Sequence, residues 1–250
     1  MPVSSASCVI GTRGCKKGVG LSESKGYGAK HVTALMGKWY YNWDDHTDLA
    51  GFSTPFVPML FSDAPRRVID GNFAFGLGYN EPDGPDQANM TVAEAVAAWP
   101  RLTQHAATVI SPALAGNPSN KTSNAYRWMS DFLDHKVRVD AIAVHTYGAV
   151  EAPKFIDKLK AIYNTFHKPI WVTEFACQTH AEAGKDTNST KYSKSAVIKF
   201  IQETTTFMEA TPWVFAYAWH DAAVPGSTST LYDLNADLTA VGQEYANVGN

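Results

Sequence analysis

The chain has 250 residues, of which 45% are hydrophobic, and a formal net charge of −3 at pH 7. This length and composition fit one globular domain with a sizeable core, and the slightly acidic balance argues against a nucleic-acid-binding surface. No apolar run is long enough to cross a bilayer, and no basic segment followed by an apolar stretch indicates a signal peptide.

The first part of the chain differs from the rest in its pattern. Residues 1–12 show little periodicity, and we expect residues 1–16 to form a segment that wraps the domain or is disordered. Cys8 and Cys15 are close enough in sequence to form a disulfide, and free thiols are the alternative. If they are bridged, Cys177 is left over, and we expect it to be a buried small apolar residue. Residues 17–250 then form a single domain.

Eight short apolar runs follow, each bounded by Gly, Pro, Asn or Asp, which is typical of buried parallel strands. They cover residues 18–21, 38–43, 54–61, 73–79, 108–111, 141–147, 170–173 and 215–219. Helical patterns lie between several of them: a capping box at Thr91 and Glu94, and amphipathic stretches at residues 153–166, 192–208 and 238–245. Between the second, third and fourth predicted strands there is room only for short turns or a single helical turn. The pattern predicts an α/β fold, a (β/α)8 TIM barrel with some shortened or missing helices, and a doubly wound sheet is the alternative.

Two carboxylates stand where predicted strands leave the core. Glu81 follows the fourth apolar run and Glu174 follows the seventh. In a barrel, the carboxyl ends of the strands form the active-site face, and buried carboxylates are costly unless they are paired or used. The chain also has 7 Trp and 11 Tyr residues. This combination indicates a carbohydrate hydrolase with an acid and a nucleophile.

Aromatic side chains near the second strand end are candidates for sugar binding. Trp39, Tyr41 and Trp43 alternate along one strand and therefore share a face. An aromatic ring can stack on the apolar face of a pyranose. Core packing is the alternative for each of them, and the expectation of sugar contact is strongest for Trp43, which is nearest the strand end.

Other strand ends carry further candidates. His145 and Tyr147 alternate on the sixth strand, and we expect both to hydrogen-bond in the cleft. Trp219 ends the eighth strand, and His220 after it could line the rim. Glu23, after the first strand, could hold a sugar hydroxyl or be a structural acid.

Three motifs carry a resemblance to a known family. Gly-Tyr-Asn-Glu-Pro-Asp at residues 78–83, Val-His-Thr-Tyr at 144–147 and Trp-Val-Thr-Glu-Phe at 171–175 occur in this order. Together they resemble the clan A retaining glycosidases and look most like glycoside hydrolase family 128, which contains β-1,3-glucanases. The resemblance runs from about Lys17 to the C-terminus. It implies that Glu81 is the acid/base and Glu174 the nucleophile. It also implies that Asn80 hydrogen-bonds the sugar 2-hydroxyl and that Trp219 forms an aromatic floor under the sugar at the cleaved position.

The chemistry sets requirements on these residues. Glu81 has to be protonated when the sugar binds, which burial and the nearby charge of Glu174 would favour. Glu174 has to stay ionised, so hydrogen-bond donors should surround it, and Tyr147 is the first candidate. No cofactor or metal is needed. No Gly-x-Ser-x-Gly elbow or His-Glu-x-x-His motif occurs, which disfavours serine and zinc hydrolases.

We therefore expect a secreted or cell-wall-associated retaining hydrolase of laminarin-type β-1,3-glucan, endo-acting and monomeric, without nucleic-acid or membrane partners. An exo-acting β-1,3-glucanase is one alternative, since the segments at 179–191 and 221–233 could close a groove. Another is an oligosaccharide-binding protein with little turnover on the same fold.

Overall fold

The computed structural model describes residues 8–177, 191–220 and 227–250. Strands and helices alternate along these residues, as the apolar pattern predicts. In chain order they are β1 (Lys17–Gly20), a 3-10 turn (Glu23–Lys25), α1 (Ala29–Ala34), β2 (Trp39–Tyr41), β3 (Phe73–Gly76), α2 (Val92–Ala98), α3 (Pro100–Thr103), β4 (Ala106–Val109), α4 (Asn124–Asp134), β5 (Ile142–Tyr147), α5 (Ala152–Phe166), β6 (Ile170–Ala176), α6 (Lys194–Ala210), β7 (Val214–Trp219) and α7 (Ala240–Asn247).

The strands are parallel and follow one another around a barrel that is incompletely closed. One sheet has the order β2-β1-β7-β6-β5, and a second sheet pairs β3 with β4. Isolated parallel bridges span the gaps between the sheets, at Tyr40–Phe56, Met59–Leu77 and Ile110–Ala141. The predicted parallel α/β architecture is therefore confirmed, and it is consistent with a shortened (β/α)8 barrel that has single bridges in place of continuous ladders on one side.

The third predicted strand, residues 54–61, is not a regular strand. Pro55 and Pro58 have no N–H to donate, so they interrupt a ladder. The segment still lies between its neighbours, because the Val57 N–H donates to the Tyr40 carbonyl at 2.9 Å and the Leu60 N–H donates to the Leu77 carbonyl at 3.0 Å. The prediction of a full strand was wrong, although the segment occupies the position of one.

The helices agree with the sequence pattern in most places. Thr91 and Glu94 form the predicted reciprocal capping box at the start of α2. Helices α5, α6 and α7 lie where amphipathic spacing predicts them. Helix α4 was missed, although Ser123 caps its N-terminus and it buries Met129 and Phe132. Among the described residues, no helix is both long and apolar enough to cross a membrane.

Glycines of β1 make room for aromatic rings inside the barrel. A Cβ at Gly18 would lie 2.1 Å from Trp39 Cε2, and a Cβ at Gly20 would lie 3.0 Å from Trp43 Cη2 and 3.3 Å from the Tyr41 hydroxyl. At Gly18 only glycine allows this close approach, and at Gly20 an added Cβ would push the rings aside. The rings of β2 therefore fill the interior next to β1, and Trp39 packs on Trp171 with ring centroids 4.9 Å apart.

The described N-terminal residues pack against the bottom of the barrel. Cys8 and Cys15 form a disulfide, which decides between the two alternatives that the sequence left open. Ile10 is buried, and the Gly14 N–H donates to Glu209 at 2.7 Å. Cys177 is unpaired and buried, as expected for the leftover thiol.

Candidate active site

A cleft of about 330 Å³ opens at the carboxyl ends of the strands. Its described walls come from several different strand ends and from the loop that follows β3. They are Trp43, Phe61, Asn80, Glu81, Gly84, Pro85, Asp86, Gln87, Tyr147, Glu174 and His220. Both carboxylates that the sequence singled out therefore face the same cavity.

The two carboxylates lie close enough to act on one bond. One oxygen of Glu81, one of Glu174 and a ring nitrogen of His145 all lie within 4.8 Å of one another. Retaining glycosidases place their carboxyl groups about 5–5.5 Å apart, whereas inverting enzymes leave about 6.5–9.5 Å for a water molecule. With one oxygen of each residue within 4.8 Å of the other, the pair fits the shorter, retaining spacing.

A strained turn aims Glu81 into the cleft. Its φ of 47° lies in the left-handed region, which non-glycine residues rarely adopt. Its N–H donates to the Ala113 carbonyl at 2.7 Å, and its carbonyl accepts from the Gly84 N–H at 2.9 Å. The Asp83 carboxylate accepts from the Ala115 N–H at 2.8 Å. These bonds offset the cost of the conformation and fix the direction of the side chain.

Hydrogen-bond donors surround Glu174. The Trp43 indole N–H donates to its Oε1 at 2.7 Å, and the Tyr147 hydroxyl donates to its Oε2. His145 Nδ1 and His220 Nε2 lie 3.3 and 3.9 Å from Oε2. Burial by itself raises the pKa of the Glu174 carboxyl, but the charges of the two histidines and the two hydrogen bonds outweigh it and hold the pKa below its usual value. Glu174 is therefore held as a carboxylate.

His145 links the two acids. Its Nδ1 lies 2.8 Å from Glu81 Oε1 as well as close to Glu174, and the side chain is buried. Burial lowers the pKa of this imidazole, but the Glu174 charge and the hydrogen bond to Glu81 outweigh it, so the pKa is raised. Tyr147 has a pKa well above the usual value because of burial and the Glu174 charge, and it stays protonated as a donor.

Comparison with known protein families finds a match over most of the chain. A sequence model described as glycosyl hydrolase catalytic core matches residues 25–245. The chain belongs to this family. A comparison of this glycosyl hydrolase with curated protein sequences found no match.

Solved structures of glycoside hydrolase family 128 resemble this chain. A mutant of a glycoside hydrolase family 128 subgroup I endo-β-1,3-glucanase from Amycolatopsis mediterranei, in complex with laminaripentaose, has a TM-score of 0.78 at 26% identity, over 94% of this glycosyl hydrolase and 100% of its own chain. A subgroup V exo-β-1,3-glucanase from Cryptococcus neoformans has a TM-score of 0.72 at 22% identity, covering 94% and 99% of the two chains. A subgroup VII oligosaccharide-binding protein from the same organism has 0.74 at 24%, covering 97% of each. The resemblance to family 128 is confirmed.

Several predicted residues meet at the cleft of this glycosyl hydrolase. Trp43 and Tyr147 contact Glu174, and His145 contacts both acids. Asn80 is buried beside the cleft, and its Nδ2 donates to Gln87 Oε1 at 3.1 Å. Phe61 and Gln87 also line the cleft but were not predicted, because they lie in irregular segments with no motif of their own.

Other predicted sugar contacts are corrected by their positions. Trp39 and Tyr41 are fully buried inside the barrel, below Trp43, because the shared face of β2 is the packed interior. Glu23 accepts hydrogen bonds from Asn42, Thr47 and the Asp48 N–H at 2.9, 2.7 and 2.8 Å, so its role is to fasten the loop after β2. None of these three side chains lines the described cleft.

Trp219 also lies elsewhere than expected. It is buried against Phe175, Phe200 and Tyr245, and its indole N–H donates to the Ser229 carbonyl at 2.9 Å. It therefore faces the outer helices and not the cleft. Because strand residues alternate, the next residue, His220, faces the cleft instead. Of the two segments expected to shape the groove, residues 179–190 of the first and 221–226 of the second lie outside the described residues.

Two clusters of described residues have the composition of a metal site, and their contacts explain both. In the first cluster, Glu81 and Glu174 both contact His145, and Glu174 also accepts hydrogen bonds from Trp43 and Tyr147. In the second, Asp44 pairs with Arg67, and Asp45 accepts from the Val68 N–H at 2.6 Å and contacts His46 Nδ1 at 2.6 Å.

Proposed function

We propose that this glycosyl hydrolase cleaves β-1,3-glucan with retention of configuration, by double displacement. The observation that carries the proposal is the Glu81–Glu174 pair, with oxygens within 4.8 Å and different surroundings. The similarity at 26% identity to an endo-β-1,3-glucanase solved with laminaripentaose supports the substrate class.

The surroundings of the two carboxylates support this assignment of roles. Glu174 is the more deeply buried, with a side chain 5% exposed, and two neutral donors and two imidazoles stabilise its negative charge. It is suited to be the nucleophile. Glu81 is 12% exposed and stands on a turn at the cleft, where it can exchange a proton with a leaving group or with water. It is suited to be the acid/base.

In the first step, Glu81 donates its proton to the glycosidic oxygen while a Glu174 oxygen attacks the anomeric carbon. The glycosidic bond breaks, the reducing-end fragment leaves as an alcohol, and a glycosyl ester of Glu174 remains. In the second step, the Glu81 carboxylate takes a proton from water as the water attacks the anomeric carbon. The ester bond breaks, and both carboxyl groups return to their initial states.

His145 and the cleft walls would support these steps. As an imidazolium between the acids, His145 compensates negative charge whichever carboxyl is ionised, because its Nδ1 is close to both. Asn80 is proposed to bind the 2-hydroxyl. The half-buried rings of Trp43 and Phe61 supply apolar surface for the pyranose.

We propose endo action on a soluble or wall-bound glucan by a monomer that works outside the cell. The Cys8–Cys15 disulfide supports an oxidising environment. The patterns Asn89-Met-Thr, Asn120-Lys-Thr and Asn188-Ser-Thr agree with secretion as glycosylation acceptors.

Sugar release from laminarin tests the activity, with β-1,4-linked mannan and cellulose as competing substrates. Glu81→Gln and Glu174→Gln should abolish release, and Glu203→Gln, on the exposed surface of α6, is the matched control. Proton NMR should show the β-anomer first, whereas an α-anomer would refute the retaining mechanism.

Laminarihexaose separates the remaining possibilities. A range of products from the start indicates endo action, and a single short product indicates exo action. Binding of the hexasaccharide without cleavage by wild type would refute the enzyme proposal in favour of an oligosaccharide-binding protein.

A further inference from the structure

Strand β6 carries one extra residue just before the nucleophile. Against β5, Val172 pairs with Val144, but the next pair is Glu174 with His145. Thr173 therefore has no residue opposite it on β5. Against β7, Val172 pairs with Tyr217 and the next pair is Phe175 with Trp219. The pairing therefore advances three residues along β6 but only two along β7. Both neighbours therefore see the same β-bulge at Thr173 and Glu174.

The bulge decides which way Glu174 points. Trp171 packs in the barrel interior, whereas Val172 and Phe175 pack in the outer layer under the helices. In a regular strand, residues three apart face opposite sides, so Glu174 would lie on the outer face if Trp171 is inside. The extra residue reverses this, and Glu174 faces the cleft.

Tyr41 holds the bulge from inside the barrel. Its hydroxyl donates to the Thr173 carbonyl at 2.8 Å, the last backbone acceptor before Glu174. Tyr41 is fully buried, and its ring packs on Trp43 with centroids 4.8 Å apart. Since Trp43 donates to Glu174, one buried tyrosine contacts both the backbone and the side-chain support of the nucleophile.

We propose that Tyr41 is a positioning residue for Glu174, whose hydroxyl fixes the β6 bulge so that the carboxylate reaches the anomeric carbon. The proposal rests on the proposed function, since it concerns the geometry of the attacking group. It gives Tyr41 a role in the first chemical step without any contact with sugar.

Tyr41→Phe removes only the hydroxyl and keeps the ring. Tyr232→Phe is the matched control, because its buried hydroxyl also donates to a backbone carbonyl, that of His31 at 2.5 Å, outside the described cleft lining. For each variant we would measure Tm, kcat and KM on laminarihexaose, and the rate at which a 2-deoxy-2-fluoro laminaribiosyl fluoride labels Glu174. The labelling rate reports nucleophilic attack alone.

We expect Tyr41→Phe to fold and bind with KM within about threefold of wild type, while kcat and labelling each fall about 10- to 100-fold, as for a misplaced reacting group. Tyr232→Phe should lower Tm by about as much as Tyr41→Phe does, but its kcat should stay at the wild-type value. Labelling by Tyr41→Phe at the wild-type rate would overturn the proposal, as would an equal loss of kcat in both variants.

Two further results keep the inference separate from the proposed function. A wild-type protein that neither cleaves laminarin nor becomes labelled refutes the function, and crystal structures of wild type and Tyr41→Phe then test the positioning. A displaced Glu174 carboxylate supports it, and an unmoved one overturns it. If Tyr41→Phe does not fold, Gly20→Ala takes its place, since the new Cβ would press on the Tyr41 ring at 3.2 Å and its hydroxyl at 3.3 Å, and a crystal structure of that variant shows whether Trp43, at 3.0 Å from the Cβ, keeps its bond to Glu174. Wild-type labelling by a variant in which the Tyr41 hydroxyl has left the Thr173 carbonyl would overturn the proposal.

Discussion

Replacing Tyr147 by phenylalanine removes one hydroxyl from the surroundings of the nucleophile and leaves the ring in place. In the native protein this hydroxyl donates to Glu174 Oε2, and the Trp43 indole serves the other oxygen. The pKa of Glu174 is held below its usual value although burial alone would raise it. The variant therefore changes one of the contacts that keep the carboxylate ionised.

The expected size follows from the bond that is lost. A hydrogen bond to a charged group is worth about 1.5–3 kcal/mol, and one pKa unit corresponds to about 1.36 kcal/mol. The Glu174 side chain is only 5% exposed, so solvent screens this bond little. We expect the pKa of Glu174 to rise by about 1–2 units in Tyr147→Phe.

The pH profile of kcat/KM measures this change. Attack requires the carboxylate, so the acidic limb of the bell should move to higher pH by the same amount, as a macroscopic property of the coupled pair. Above the limb, Glu174 is ionised in both proteins, and kcat/KM should fall by less than about tenfold, because the bond is lost from the ground state and the transition state alike. An acidic limb that coincides with that of wild type would refute the reasoning.

Three further predictions concern other parts of the molecule. Glu81→Ala and Glu174→Ala should each lower kcat by several orders of magnitude with the fold retained, and azide should yield a β-glycosyl azide with the first and an α-glycosyl azide with the second, which NMR distinguishes. The pKa of His145 is raised in the folded protein, so its positive charge stabilises the fold below about pH 6.5. This contribution disappears as the pH rises through the folded pKa. In denaturant titrations, the difference in free energy of unfolding between wild type and His145→Gln should therefore shrink as the pH rises. Thr91→Ala removes the capping box with Glu94 and should cost about 1 kcal/mol of stability by calorimetry, with kcat unchanged.

Each of these has an outcome that contradicts it. The same azide anomer from both alanine variants would mean that the two glutamates do not have the separate roles proposed. A His145→Gln difference that stays constant across pH would show that the imidazole is not charged between the acids. Loss of activity in Thr91→Ala would mean that α2 supports the site directly.

Local patterns were sufficient for much of the fold. Short apolar runs with turn residues at their ends predicted seven regular strands, and the capping box at Thr91 predicted the start of α2 to the residue. The third run failed because apolar composition does not register a missing N–H, and Pro55 and Pro58 remove two. Helix α4 was present in the sequence as well, through Ser123 followed by Met129 and Phe132 at helical spacing.

The same distinction holds at the site. Which two carboxylates leave strand ends, in which order and beside which motifs, could be predicted, because these are properties of neighbouring residues along the chain. The sequence could not determine which face of a strand points inward. Trp219 and His220 alternate, and the packing against the helices decides that His220 faces the cleft.

The sequence also could not show how deep a side chain lies within the barrel. Trp39, Tyr41 and Trp43 share a face, but only the tertiary structure shows that the first two lie below the cleft and that Tyr41 bonds to the strand of the nucleophile. The bulge that turns Glu174 into the cleft is a mismatch between three strands. A single strand has no register of its own, so this feature, on which the carboxylate pair depends, exists only once the strands have assembled.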